Sequence, residues 1–181
     1  MRRRLVGQFA VAVLAATLGA VAAQAPAQAA PGDGWETITT DMGTGYVLGI
    51  AGGSDANGAR AITWPALYVS DQAWKWQRVG SSVPYVWALL NGGTNPNKAL
   101  AVSGGREDDG APIIQYDFNA ANPDQLWRQE GTWRPGTFIL RNVKSKKCLA
   151  VPNGNTAPGV KLIQYGCNDL LADQRWTTVD N

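Results

Sequence analysis

Histidine is absent from all 181 residues. That omission removes Ser–His and Cys–His nucleophilic pairs and every His-based metal centre. Cysteine is nearly absent too, with Cys148 and Cys167 the only two, so a thiol nucleophile or ligand would have no imidazole to work with. Helical patterning is also missing. Beyond the first 29 residues, no window keeps the i, i+3, i+4, i+7 spacing of an amphipathic helix for more than a turn or two. Charged residues make up only 17% of the chain. No cofactor motif, metal set or catalytic constellation is expected. The one acidic cluster, Glu107-Asp108-Asp109, sits among glycines and reads as a solvated loop rather than the carboxylate pair of a glycosidase.

What is present begins with an address. Arg2-Arg3-Arg4 precede a run from Leu5 to Ala23 dominated by Ala, Val and Leu, and Ala27-Gln28-Ala29 follows as a small-x-small triplet. These are the three parts of a secretory signal peptide. A transmembrane anchor is the competing reading, but Gly7, Gln8 and Gly19 dilute the run. Cleavage after Ala29 would leave 152 residues and no membrane span. It would also remove three arginines, leaving 13 basic against 14 acidic residues and a balance of −1 in place of +2. The secreted form then lacks the basic stripe that nucleic acid requires, and Lys144, Lys146 and Lys147 read as a solvated turn. Export would permit a disulfide, for which Cys148 and Cys167 leave one pairing.

After a short leader, residues 30–34, the chain becomes runs of about five residues rich in Val, Ile, Leu, Thr and aromatics. Turn dipeptides such as Asn57-Gly58, Asp109-Gly110 and Asn153-Gly154 separate them. One ruler recurs three times. From Leu149, Gly159 lies ten residues on, Tyr165 sixteen and Trp176 twenty-seven. Leu100, Gly110, Tyr116 and Trp127 repeat those offsets, and Leu48, Gly58, Trp64 and Trp74 do so with the last step one residue shorter. Three such units, at about 35–80, 81–131 and 132–181, cannot each bury an apolar face alone, but three around a pseudo-threefold axis can. The expectation is an all-β fold, a β-trefoil of three four-strand repeats of roughly fifty residues over 35–181. A three-bladed propeller would need more chain.

Three copies of Gln-x-Trp in register, at Gln72-Ala73-Trp74, Gln125-Leu126-Trp127 and Gln174-Arg175-Trp176, join Cys148-Leu149-Ala150-Val151 and Tyr165-Gly166-Cys167. Together they resemble the ricin B-type β-trefoil lectin domain over nearly the whole mature chain. The resemblance implies that Gln72, Trp74, Gln125, Trp127, Gln174 and Trp176 are structural. It implies that the offset-sixteen rings, Trp64, Tyr116 and Tyr165, are platforms for the C–H face of a sugar. It also implies an aspartate directly after each repeat-start leucine, where this chain has Gly49, Ala101 and Ala150.

The loss of that anchor costs each site a charge-assisted hydrogen bond, roughly 1.5–3 kcal/mol. The polar residues left near each ring are Asp71 in the first repeat, Asn119, Asn122 and Asp124 in the second, and Asn168 and Asp173 in the third. The three aspartates have two readings, sugar acceptors or caps of the following turn. The resulting expectation is a secreted, monomeric, non-catalytic glycan-binding protein engaging polysaccharide through up to three shallow sites. The alternative is a trefoil scaffold without sugar binding that acts on another protein.

Overall fold

The computed structural model describes residues 34–81, 84–94 and 97–180, so the expected export signal, Met1–Ala29, lies outside the described residues. From residue 36 the alternation of β-branched and aromatic residues resolves into short strands. The first repeat forms β1 (Glu36–Thr40), β2 (Tyr46–Ile50), β3 (Ala61–Pro65) and β4 (Ala73–Val79). The second forms β5 (Val86–Asn91), β6 (Lys98–Val102), β7 (Ile113–Asp117) and β8 (Trp127–Gly131). The third forms β9 (Phe138–Asn142), β10 (Cys148–Ala150), β11 (Val160–Lys161), β12 (Ile163–Tyr165) and β13 (Trp176–Asp180). β11 and β12 are one run interrupted at Leu162, which is fully buried.

All pairings are antiparallel, and six of them close a ring: β1 with β4, β4 with β5, β5 with β8, β8 with β9, β9 with β13, and β13 with β1. Closure leaves the barrel without an edge strand open to further pairing. Six of the remaining strands form three hairpins, β2–β3, β6–β7 and β10–β12, which cap it, and β11 pairs with β3. The core repeats threefold like the sequence. Leu48, Leu100 and Leu149 are fully buried, as are Trp74, Trp127 and Trp176. Each indole Nε1–H donates to the carbonyl of its own repeat-start leucine, at 2.9, 2.9 and 3.3 Å. The leucine-to-tryptophan ruler is therefore one hydrogen bond drawn three times.

The offset-ten glycine has an equally local cause. Gly58, Gly110 and Gly159 hold φ between 79° and 83°, a left-handed conformation that disfavours side chains. Each donates its N–H to a strand of the next repeat: Gly58 to Gln115, Gly110 to Gln164 and Gly159 to Thr63. The third of these closes the cycle from repeat 3 to repeat 1. Near the axis the Arg60 guanidinium donates to the carbonyls of Ile113, at 3.2 Å, and Leu162, at 2.9 Å, so one cation ties all three repeats. Its burial draws its pKa down.

Cys148 and Cys167 form the disulfide, with an S–S distance of 1.98 Å. At the corresponding places repeat 2 has Ala99 and Phe118, which pack together in a satellite apolar cluster. The bridge thus substitutes for packing that its sister obtains from a ring. Replacing both cysteines with alanine is expected to lower unfolding free energy by about 3 kcal/mol, with native secondary structure retained. Urea denaturation followed by circular dichroism measures it, and an unfolded variant would contradict this local role.

Candidate functional site

Each repeat presents its offset-sixteen ring outward where the third strand of the repeat ends. Trp64 is 39% exposed, Tyr116 47% and Tyr165 51%. None of the three turns into the core. A 310 turn follows each loop, at Ser70–Gln72, Pro123–Gln125 and Ala172–Gln174, and carries the aspartate and glutamine of the motif.

The glutamines hold the site loops. Gln72 accepts from the Leu67 N–H and donates to the Pro65 carbonyl. Gln125 does the same with Asn119 and Asp117, and Gln174 with Asn168 and Gly166. Both ends of each amide are spent on backbone. The glutamines are also buried, so they position the loops rather than face a ligand.

The three aspartates differ. In repeat 1 the Asp71 carboxylate lies against the strand and accepts, at 3.4 Å, from the Ile50 N–H. A Cβ placed on Gly49 would stand 3.4 Å from Asp71 Oδ2, and one on Gly53 would stand 3.6 Å from Oδ1. The carboxylate missing after Leu48 has been replaced by one reaching the same corner from the 310 turn. The tightest contact of a Cβ on Gly49 would be with Gln72 Cγ, at 3.1 Å. In repeat 3, burial raises the Asp173 pKa above the usual carboxylate range. No side-chain cap bond is made by any of the three turns' N-cap residues.

Trp64 and Asp71 line one open pocket of about 310 Å³ together with Ile50, Gly52, Gly53, Ile62, Leu67, Val69 and Gln72. Trp64 is buttressed from the neighbouring repeat, where a Cβ on Gly159 would stand 3.2 Å from its Cζ3. Repeat 2 differs at the corresponding corner. The Lys144 ammonium donates to the Gly105 carbonyl at 2.6 Å, and a Cβ on Gly105 would meet both that ammonium and, at 3.7 Å, the Asp124 carboxylate. The expectation of a solvated turn for Lys144 is corrected here, because it reaches across to the neighbouring repeat. Its counterpart beside repeat 1, two residues past Asn91 as Lys144 is past Asn142, is Gly93. Gly93 places no side chain there, and a Cβ on it would stand 3.2 Å from the Asp71 backbone.

Asn168 is exposed and its Oδ1 accepts from the Leu170 N–H, as Asn119 Oδ1 does from Ala121. These side chains shape their own loops. Asn122 is exposed and its backbone joins the 310 turn, accepting from Gln125 N–H. In the acidic cluster, Asp108 pairs with Arg106, whose hydrogen bond holds the carboxyl below its usual pKa, and Asp109 pairs with Lys147 at 2.7 Å. Among the described residues no group of three or more His, Cys, Asp or Glu is placed to hold a metal, and no helix is long and apolar enough to cross a membrane.

The model of the ricin-type β-trefoil lectin domain matches residues 34–176. The chain belongs to that family. Among solved structures the lectin domain is similar to ThreeFoil, a designed threefold symmetric protein, at 28% identity and a TM-score of 0.74, covering 82% of this chain and all of that one. An exo-β-1,3-galactanase from Clostridium thermocellum matches at 22% identity and 0.73, covering 83% of this chain and 31% of the enzyme. A Macrolepiota procera ricin B-like lectin, solved with lactose, matches at 15% and 0.64, covering 85% of this chain and all of the lectin. The last two likenesses speak to fold alone. No curated protein matches the chain in sequence.

Three features of this ricin-type domain escaped the motif spacing. Leu67 and Val69 line the pocket, Gly53 floors it, and Lys144 fills the corresponding corner of repeat 2. The step from Trp64 to Trp74, one residue shorter than in its sisters, was the visible trace of the first. Lys144 carried no trace, since it lies 28 residues beyond Tyr116 in the following repeat.

Proposed function

We propose that this ricin-type trefoil is a secreted carbohydrate-binding module whose principal site is the repeat-1 pocket. The observation that carries the reading is the return of a carboxylate to the corner beside Gly49, in the pocket that Trp64 walls. A sugar laid against Trp64 offers its C–H face to the indole, and Asp71 accepts from its hydroxyls. The carboxylate has one backbone donor at 3.4 Å, which leaves lone pairs for a ligand. Residues 1–29, read as an export signal, support action outside the cell. Retention on insoluble polysaccharides, released by free saccharide, tests the binding. A protein that binds none of a broad panel of polysaccharides and arrayed glycans would defeat it.

Repeat 2 serves as the internal comparison. Tyr116 and Asp124 are present there, but the Lys144 ammonium stands at the corner where its counterpart in repeat 1, Gly93, has no side chain. Lys144→Ala is expected to strengthen retention severalfold by adding a second usable site on one rigid body. Affinity electrophoresis in polysaccharide gels reads the change. Unaltered mobility would show that the lysine is not what limits repeat 2.

A further inference from the structure

We infer that the repeat-1 pocket selects a saccharide bearing an apolar substituent, an aryl or acyl group, which lies on Leu67 and Val69 while Asp71 and Trp64 hold the sugar. This rests on the carbohydrate reading above and narrows it to a ligand class. Five apolar side chains, Ile50, Ile62, Trp64, Leu67 and Val69, face one carboxylate in the pocket. Gln72 is 3% exposed, and its amide oxygen and nitrogen are each bonded to the loop backbone. One C–H face of a sugar covers one ring. Hydroxyls turned toward the other walls would lose their hydrogen bonds to water without replacement. The volume of about 310 Å³ falls at the lower edge of the ~300–1,000 Å³ that accommodates drug-sized ligands.

The first position of this lip is peculiar to repeat 1; at the second, where Val69 precedes the 310 turn, repeat 2 has Asn122 and repeat 3 has Leu171. Where Leu67 gives its N–H to Gln72, the sisters have Asn119 and Asn168 giving theirs to Gln125 and Gln174. The fold needs only the backbone donor at this position. In the sisters the side chain caps its own loop; in repeat 1 it is a leucine left 56% exposed at the pocket. Tyr68 follows at φ 55° and 84% exposed. A positive φ on a bulky residue is a strained conformation that persists where the surrounding structure imposes it. It lies between the two apolar residues that line the pocket, Leu67 and Val69. Val69 is itself 43% exposed.

Paired methyl and phenyl β-glycosides of galactose, glucose, xylose and arabinose provide the test, with binding read by calorimetry on the wild type and on Leu67→Asn/Val69→Ser. Asparagine is the residue both sister loops have at the first position, and thermal unfolding checks that the variant is folded. For the sugar recognised, the phenyl glycoside is expected to bind roughly tenfold tighter than the methyl glycoside, the gain from burying most of one ring. The variant should bring that ratio within twofold, with phenyl glycoside affinity falling more than methyl glycoside affinity. Phenol alone should bind far more weakly than either. A wild-type ratio near one, a ratio that survives in the folded variant, or phenol binding as well as its glycoside would each overturn the inference. Methyl glycoside binding with a ratio near one removes this inference alone, whereas silence from every glycoside removes the carbohydrate reading with it.

Discussion

Trp64→Ala is expected to abolish retention on whichever polysaccharide the wild type binds, with stability changed by less than about 1 kcal/mol. The ring is 39% exposed and packs across the repeat boundary against Gly159, so removing it takes away the stacking platform and little core. Fully burying such a side chain against a ligand contributes on the order of 2–3 kcal/mol. A micromolar to millimolar site has only about 4–8 kcal/mol in total. The loss is therefore at least thirtyfold in affinity, below what column retention detects. Asp71→Asn should be the gentler companion: it keeps the shape, removes the charge and weakens binding by about tenfold. Tyr116→Ala should change little while Lys144 stands in repeat 2. Calorimetry on the three variants orders the sites, and undiminished binding by folded Trp64→Ala would end the assignment to repeat 1.

The parts of this ranking that depend on spacing were legible in the sequence. The threefold ruler predicted the closed barrel because its marks are structural contacts. Leucine and tryptophan share a hydrogen bond within a repeat, and the glycine donates to the next repeat from a left-handed turn. Periodicity reports such contacts since each repeat must make them. The outward rings were also foreseeable from strand position. The inequality of the sites was not, because it depends on residues outside the ruler. Asp71 had two readings, acceptor or cap, and only its approach to Gly49 and Gly53 shows which space its carboxylate fills. Lys144 belongs to the turn between β9 and β10 but stands at Gly105 of the preceding repeat. A contact between repeats has no fixed offset for the eye to find. Asn168, expected at the third site, has its oxygen bonded to its own loop, a local use that composition does not distinguish from a waiting ligand contact.

Trp127→Ala should be the counterpart of Trp64→Ala, ruinous to the fold and uninformative about binding. Trp127 is fully buried and pairs with Trp87 across β5 and β8, at one of the seams that close the barrel. Its indole N–H is the partner of the Leu100 carbonyl at 2.9 Å. Alanine would leave a cavity the size of an indole, at about 3–5 kcal/mol, and would strand that carbonyl, at about 1–3 kcal/mol more. Domains of this size are stable by only about 5–15 kcal/mol, so the variant should unfold at less than half the urea concentration of the wild type or fail to accumulate. Collapse of the neighbouring Phe138 and Trp76 side of the core is limited by edge-on ring packing already in place there. A loss below about 2 kcal/mol in urea titration would show that the three tryptophans are not equal props of the barrel. The comparison of Trp127 with Trp64 then separates two roles for the same residue type: one indole spends its N–H and its whole surface inside the barrel, while the other leaves a face open beside a carboxylate.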